Sequence, residues 1–75
     1  MNWDKEKMLS EYVSCCKQKS ELFNILLKVD LGMIKRNELS LPVGLIEKYY
    51  KALDDYSKCL GLSLNLLGVT LPKIV

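Results

Sequence analysis

The chain has 75 residues, with 11 basic and 9 acidic side chains and a formal net charge of +2. This length allows one domain at most, and such a small domain is marginally stable unless oligomerisation, disulfides or a metal supports it. The interspersed charges exclude the strongly basic surface of a nucleic-acid-binding arm. The 49% hydrophobic content excludes a disordered chain, and no apolar run reaches the roughly 20 residues of a membrane span.

The N-terminus and the cysteines indicate the cellular compartment. The opening residues Met1 to Lys5 include the charged Asp4 and Lys5, and no apolar stretch of the kind found in a signal peptide follows them. The cysteines are odd in number, and two of them are adjacent (Cys15, Cys16 and Cys59). We therefore expect reduced thiols in a cytoplasmic protein.

The first predicted helix covers residues 4–30, with Asn2 or Asp4 as its N-cap. Its apolar residues follow one seam with a period near 3.5, comprising Leu9, Tyr12, Val13, Cys16, Phe23, Leu26 and Leu27. Lys19-Ser20 interrupts this seam, so the helix either continues through a polar step or breaks, with Ser20 capping a second part. The absence of glycine and proline favours a continuous helix, which we expect to end at Leu31-Gly32.

The second predicted helix covers residues 42–60 and follows a connection over residues 32–41. Pro42 suits a first helical turn, and Ser40 is the expected N-cap. Apolar side chains recur every three or four residues and predict one stripe, comprising Ile46, Tyr49, Tyr50, Leu53, Tyr56 and Leu60. The opposite face carries charged residues, including Asp54 and Lys58, and Gly61 is the expected stop of the helix.

A short terminal element covers residues 62–75. Ser63 caps a short helical turn ending at Gly68, or the alternation of leucines marks a strand. A lone strand has no partner in a helical chain, so the turn is favoured, with an extended tail containing Pro72 behind it. The predicted fold is all-α, a small single-domain helical hairpin with a short C-terminal helical turn and an extended tail.

The residue types argue against an enzyme. Histidine, the commonest general base and metal ligand, does not occur in the chain. Three cysteines without histidine do not make a zinc site, and Cys15-Cys16 lacks a base that would activate a thiol. Asp54 and Asp55 point to different sides of a helix, which favours a solvated face over an acid–base pair. We expect no catalytic residue, no cofactor and no metal.

The apolar surface of the second helix and of the terminal element predicts contacts between proteins, both within a homo-oligomer and with a larger partner. The candidate interface residues are Ile46, Tyr49, Leu53, Tyr56, Leu60, Leu64 and Leu67. Lys35-Arg36, the only adjacent basic pair in the chain, is the candidate nucleic-acid contact.

The segment 39–67 carries a motif that resembles a known family. Pro42, Tyr50, Leu53 and Tyr56 precede Leu60-Gly61-Leu62-Ser63, and this arrangement is similar to the C-terminal half of a family of bacteriophage terminase small subunits. Leu64 stands where that family usually has proline, and the arginine that follows in the family is missing here. The resemblance implies a phage DNA-packaging component that forms oligomers, engages viral DNA and regulates the large packaging subunit without being an enzyme.

Two functions are therefore expected to compete. The first is a non-enzymatic, oligomerising helical protein, with phage DNA packaging as its specific role. The second is a small helical inhibitor or regulator, antitoxin-like or acting in phage counter-defence, that binds one protein target.

Overall fold

The computed structural model describes residues 4–72, which form two long antiparallel α-helices. Helix α1 spans Lys5–Asp30 and helix α2 spans Val43–Leu66. The connection contains one short 3-10 turn, Arg36–Glu38, and the described residues include no strand. The predicted all-α helical hairpin is confirmed. The first helix lies within one residue of its predicted bounds.

Helix α1 has a defined cap at each end. The Asp4 carboxylate accepts a hydrogen bond from the Lys7 backbone N–H at 2.7 Å, which satisfies one of the free N–H groups of the first turn. At the other end Gly32 adopts φ +74°. The N–H of Gly32 donates to Val29 and that of Met33 donates to Lys28, at 3.0 and 2.8 Å. This paired pattern is a Schellman motif, which ends the helix where the sequence predicts.

Lys19, the polar residue that interrupts the apolar seam of α1, forms an ion pair with α2. Lys19 Nζ lies 3.1 Å from Asp54 Oδ1, and Lys58 Nζ lies 2.9 Å from the other oxygen of the same carboxylate. Helix α1 is therefore continuous through Lys19-Ser20. Asp54 faces the helix interface and not the fully solvated face that the sequence predicts, because its partner Lys19 stands on the neighbouring helix.

The predicted start of α2 lies within one residue of the observed start at Val43, whereas the predicted cap and the predicted end are wrong. Ser40 does not cap the helix, since Pro42 is the N-cap residue and provides no side-chain hydrogen bond. Gly61 does not stop the helix, which continues six residues beyond the predicted end at Leu60. The helix ends instead at Gly68, where φ is +79° and a second Schellman pair runs from Gly68 to Asn65 and from Val69 to Leu64. The predicted separate terminal turn is therefore the last part of α2.

The continuation of α2 through Gly61 follows from the side chains around it. Glycine in a helix interior costs about 1 kcal/mol relative to alanine. Burying a leucine side chain gains about 1.5–3 kcal/mol, and Leu64, one turn later, is completely buried. Ser63, the predicted cap, is a helical residue whose hydroxyl donates to the Cys59 carbonyl at 3.0 Å. Extending the helix thus stabilises the hairpin more than stopping it at the glycine.

The tail returns to the hairpin after Gly68. A Cβ added at Gly61 would lie 3.5 Å from both Leu71 Cδ1 and Tyr12 Cε2, so the tail residue Leu71 reaches the buried glycine and the first helix. Residues 69–72 form neither helix nor strand, in agreement with the predicted extended tail. The final residues 73–75 of that prediction lie outside the described residues.

The hairpin is a single layer with a small core. Its dimensions are 44 × 26 × 14 Å, and 14 Å is little more than the diameter of one helix with its side chains. The radius of gyration is 14.8 Å, against about 11 Å for a compact domain of this length. The buried apolar residues are few: Cys15, Ile46, Leu60 and Leu64. Two helices alone thus leave much of their apolar surface uncovered.

Candidate protein-interaction surface

The seven candidate interface residues divide between the core and the surface. Ile46, Leu60 and Leu64 are at most 6% exposed and belong to the intramolecular core. Leu53 is half-buried beside α1, where its carbonyl accepts from the Cys15 thiol at 3.3 Å. The exposed members are Tyr49, Tyr56 and Leu67. Of the seven candidates, only this second group is therefore available for a contact through the surface of the hairpin.

Two of the exposed members, Tyr49 and Tyr56, belong to a larger stripe on α2, which we name the outer stripe, whereas Leu67 is the C-cap residue of the helix. Its residues follow alternating steps of four and three positions, interrupted only by the half-buried Ser63. It comprises Leu45, Tyr49, Ala52, Tyr56, Cys59 and Leu66, all of which are exposed. At 100° per residue its centre lies about 110° around the helix from the stripe that packs on α1. Helix α2 thus presents one apolar face to α1 and a second to the solvent.

Sequence reasoning predicted Tyr49 and Tyr56 as interface residues but missed the other four residues of the outer stripe. Leu45, Ala52 and Cys59 stand next to core positions, and a spacing of three or four also connects residues of adjacent stripes. The signal that separates the stripes is the alternation of four and three steps from Leu45 onwards. It becomes clear only when the direction of α1 is known.

The centre of the outer stripe forms a shallow apolar depression. A surface cavity of about 280 Å³ is lined by Tyr49, Ala52, Leu53 and Tyr56. The Tyr49 hydroxyl donates to Gln18 Oε1 at 3.1 Å, which holds the ring on one side of the small Ala52. Aromatic rings around a small residue form a site that a side chain of another protein can fill.

The other broad face of the hairpin carries a further apolar group. The Phe23 and Tyr50 ring centroids lie 6.2 Å apart, a distance typical of interacting aromatic pairs. Phe23 is nevertheless half exposed, and exposed side chains continue towards the connection at Leu27, Leu31 and Met33. The single layer therefore shows apolar groups on both faces.

The candidate nucleic-acid contact lies on the connection. Lys35 and Arg36 are both exposed, and Arg36 begins the short 3-10 turn that also contains Glu38. The pair is accessible to a phosphate backbone, and its predicted role stays a prediction.

The pKa shifts of Cys15 and Asp54 follow from burial and from ion pairing within the hairpin. Burial raises the pKa of the Cys15 thiol, whereas a nucleophilic cysteine needs a lowered pKa. Hydrogen bonds from Lys58 and Lys19 lower the pKa of Asp54, which keeps this carboxylate charged as an ion-pair partner. Among residues 4–72, no group of three or more histidine, cysteine or acidic side chains is placed to hold a metal ion.

Neither helix of the described residues is long and apolar enough to cross a membrane. A search against protein-family models, curated proteins and solved structures finds no match to this chain.

Proposed function

We propose that this protein is a non-enzymatic helical adaptor that assembles with itself and docks onto a larger protein. The observation that carries the proposal is the single 14 Å layer with exposed apolar residues on both broad faces. Stable domains bury their apolar faces between at least two layers of secondary structure. A second chain that covers the outer stripe supplies the missing layer.

The specific role we propose is in the packaging of phage DNA, in the cytoplasm of the host cell. Its support is the resemblance of residues 39–67 to terminase small subunits, which oligomerise and engage both DNA and the large packaging subunit. Lys35 and Arg36 are the residues we propose for the DNA contact, because both are exposed at the end of the hairpin. Such a contact is weak and salt-dependent, since only two charges are involved.

The alternative is a small inhibitor or regulator that binds one protein target as a monomer or a simple dimer. It is favoured by the presence of uncovered apolar groups on both faces of the hairpin, since a single large target can enclose a thin layer. The two functions differ in stoichiometry: an adaptor forms a defined homo-oligomer, and an inhibitor forms a complex with an unrelated chain.

The test of self-assembly is the solution mass, measured by light scattering across protein concentration under reducing conditions. We expect a stable mass above that of a monomer, and a mass of more than two subunits favours the adaptor over the inhibitor, which can itself be a simple dimer. Tyr56→Asp places a charge in the outer stripe and should dissociate the assembly while far-UV circular dichroism stays unchanged. Asn24→Asp adds the same charge at an exposed position of α1 and should leave the mass unchanged. A monomeric wild-type protein would rule out the adaptor and favour the inhibitor.

The test of the packaging role is DNA binding by the assembled protein. Lys35→Glu with Arg36→Glu should abolish binding, and Lys17→Glu with Lys28→Glu, which makes the same change of charge on α1, should retain it. Binding that is equal in both variants, or no binding by wild type at low salt, would remove DNA from the proposal without affecting self-assembly.

A further inference from the structure

The outer stripe of α2 has the spacing of a coiled-coil seam. Its steps of four and three place Tyr49 and Tyr56 at one kind of core position, a, and Leu45, Ala52, Cys59 and Leu66 at the other, d. We propose that a second copy of this chain packs residues 43–58 of its α2 antiparallel against the same residues of this helix, around a two-fold axis between residues 50 and 51. This inference rests on the self-assembly proposed above and specifies its geometry.

The position of the stripe allows such a contact without opening the hairpin. The outer stripe lies about 110° from the residues that face α1, so α2 can contact both helices at once, as helices in a four-helix bundle do. The hydrogen bond between Tyr49 and Gln18 fixes one stripe residue before association. A preformed surface of this kind loses little conformational entropy on binding.

The sizes of the stripe residues favour the antiparallel orientation. With the axis between residues 50 and 51, Tyr49 lies at the height of the partner's Ala52, and Tyr56 at the height of the partner's Leu45. The large ring of Tyr49 then fills the depression beside a small residue, and the symmetry repeats each contact. A parallel pair would place Tyr49 against the partner's Tyr49 and Ala52 against the partner's Ala52, which leaves crowded and empty layers alternating.

The charges beside the stripe select the same register. Lys48 and Asp55 are exposed and flank the stripe on the side away from α1. In the proposed register Lys48 lies within one turn of the partner's Asp55, and the symmetry makes this pair twice. Sliding one helix by seven residues brings either the two Asp55 or the two Lys48 side chains together, which is unfavourable. In a parallel pair both charges would face apolar residues near α1.

The test exchanges the two charges. Lys48→Glu alone and Asp55→Lys alone each place like charges together at both symmetric positions and should raise the dissociation constant about tenfold. An equimolar mixture of the two variants forms heterodimers in which both pairs are again opposite in sign, and it should associate as tightly as wild type. Lys17→Glu, at an exposed position of α1, is the control and should not alter association. The dissociation constants are measured by sedimentation equilibrium under reducing conditions.

The native thiol Cys59 gives a second readout. In the proposed dimer the two Cys59 residues are about 25 Å apart along the helices, at 1.5 Å per residue. Oxidation should therefore not link them, because a disulfide requires Cα atoms about 4–7 Å apart. In a parallel dimer they would face each other and crosslink readily.

The outcomes separate the geometry from the proposed function. Rescue in the mixture, without crosslinking through Cys59, supports the antiparallel dimer. Self-association without rescue, or rapid crosslinking through Cys59, overturns the geometry and leaves the adaptor function in place. A wild-type protein that stays monomeric overturns both.

Discussion

Replacing Gly61 with alanine distinguishes the role that the sequence predicts for this residue from the role that it has in the structure. A helix stop at Gly61 requires a positive φ, where a side chain is strained, so that alanine would destabilise the protein by about 1 kcal/mol. In the structure Gly61 is an interior residue of α2 and is not among the residues with positive φ. Alanine is about 1 kcal/mol more favourable than glycine in such a position.

The space around Gly61 decides whether this gain is realised. A Cβ at this position lies 3.5 Å from Tyr12 Cε2 and from Leu71 Cδ1, which is ordinary van der Waals contact. The methyl group therefore fits without displacing either side chain. We expect Gly61→Ala to raise the free energy of unfolding by about 1 kcal/mol, which for a domain of this size raises Tm by about 4–8 °C.

The assay is urea denaturation followed by circular dichroism at one fixed protein concentration, since self-association would contribute to stability. Gly68→Ala is the matched control with the opposite sign, because Gly68 has φ +79° and alanine there should cost about 1 kcal/mol. Equal destabilisation by both variants would refute the argument and would make Gly61 a true helix end. An unchanged m-value confirms that the unfolding reaction is the same.

Three further predictions follow from the core and its titratable groups. Leu64→Ala should lower the free energy of unfolding by about 2–5 kcal/mol, measured by urea denaturation, because Leu64 is fully buried. Acid should lower the free energy of unfolding below about pH 4, because the folded pKa of Asp54 is lowered and the stabilisation from its ion pairs is lost as pH falls through that pKa. Asp54→Asn should make the free energy of unfolding less dependent on pH in this range. Iodoacetamide should alkylate the exposed Cys59 well before the buried Cys15, as followed by mass spectrometry.

Each of these predictions has a clear contrary result. Leu62→Ala, at an exposed position of α2 outside the outer stripe, is the control for Leu64→Ala, and equal effects would mean that Leu64 is not the centre of the core. The same pH dependence of the free energy of unfolding in Asp54→Asn and in wild type would show that the ion pair does not stabilise the hairpin. Alkylation of Cys15 at the rate of Cys59 would show that the core opens readily.

The elements of the fold were predictable wherever local chemistry determines them. Asp4 and Gly32 end α1 through hydrogen bonds within a few residues of themselves, so the sequence contains all the information needed. The end of α2 was not predictable in this way. Gly61 and Gly68 are both glycines beside leucines, and what distinguishes them is that Leu64 becomes buried against the rest of the hairpin.

The outer stripe could be predicted only in part, and the reason is geometric. Tyr49 and Tyr50 are adjacent in the chain, yet Tyr49 donates a hydrogen bond to Gln18 and the Tyr50 ring pairs with the tilted ring of Phe23. The two contacts lie on opposite sides of the line between the helices, so adjacent residues serve different faces. A periodic pattern predicts that α2 is apolar around more than one stripe, but the position of α1 decides which stripe becomes core and which one is left for a second chain.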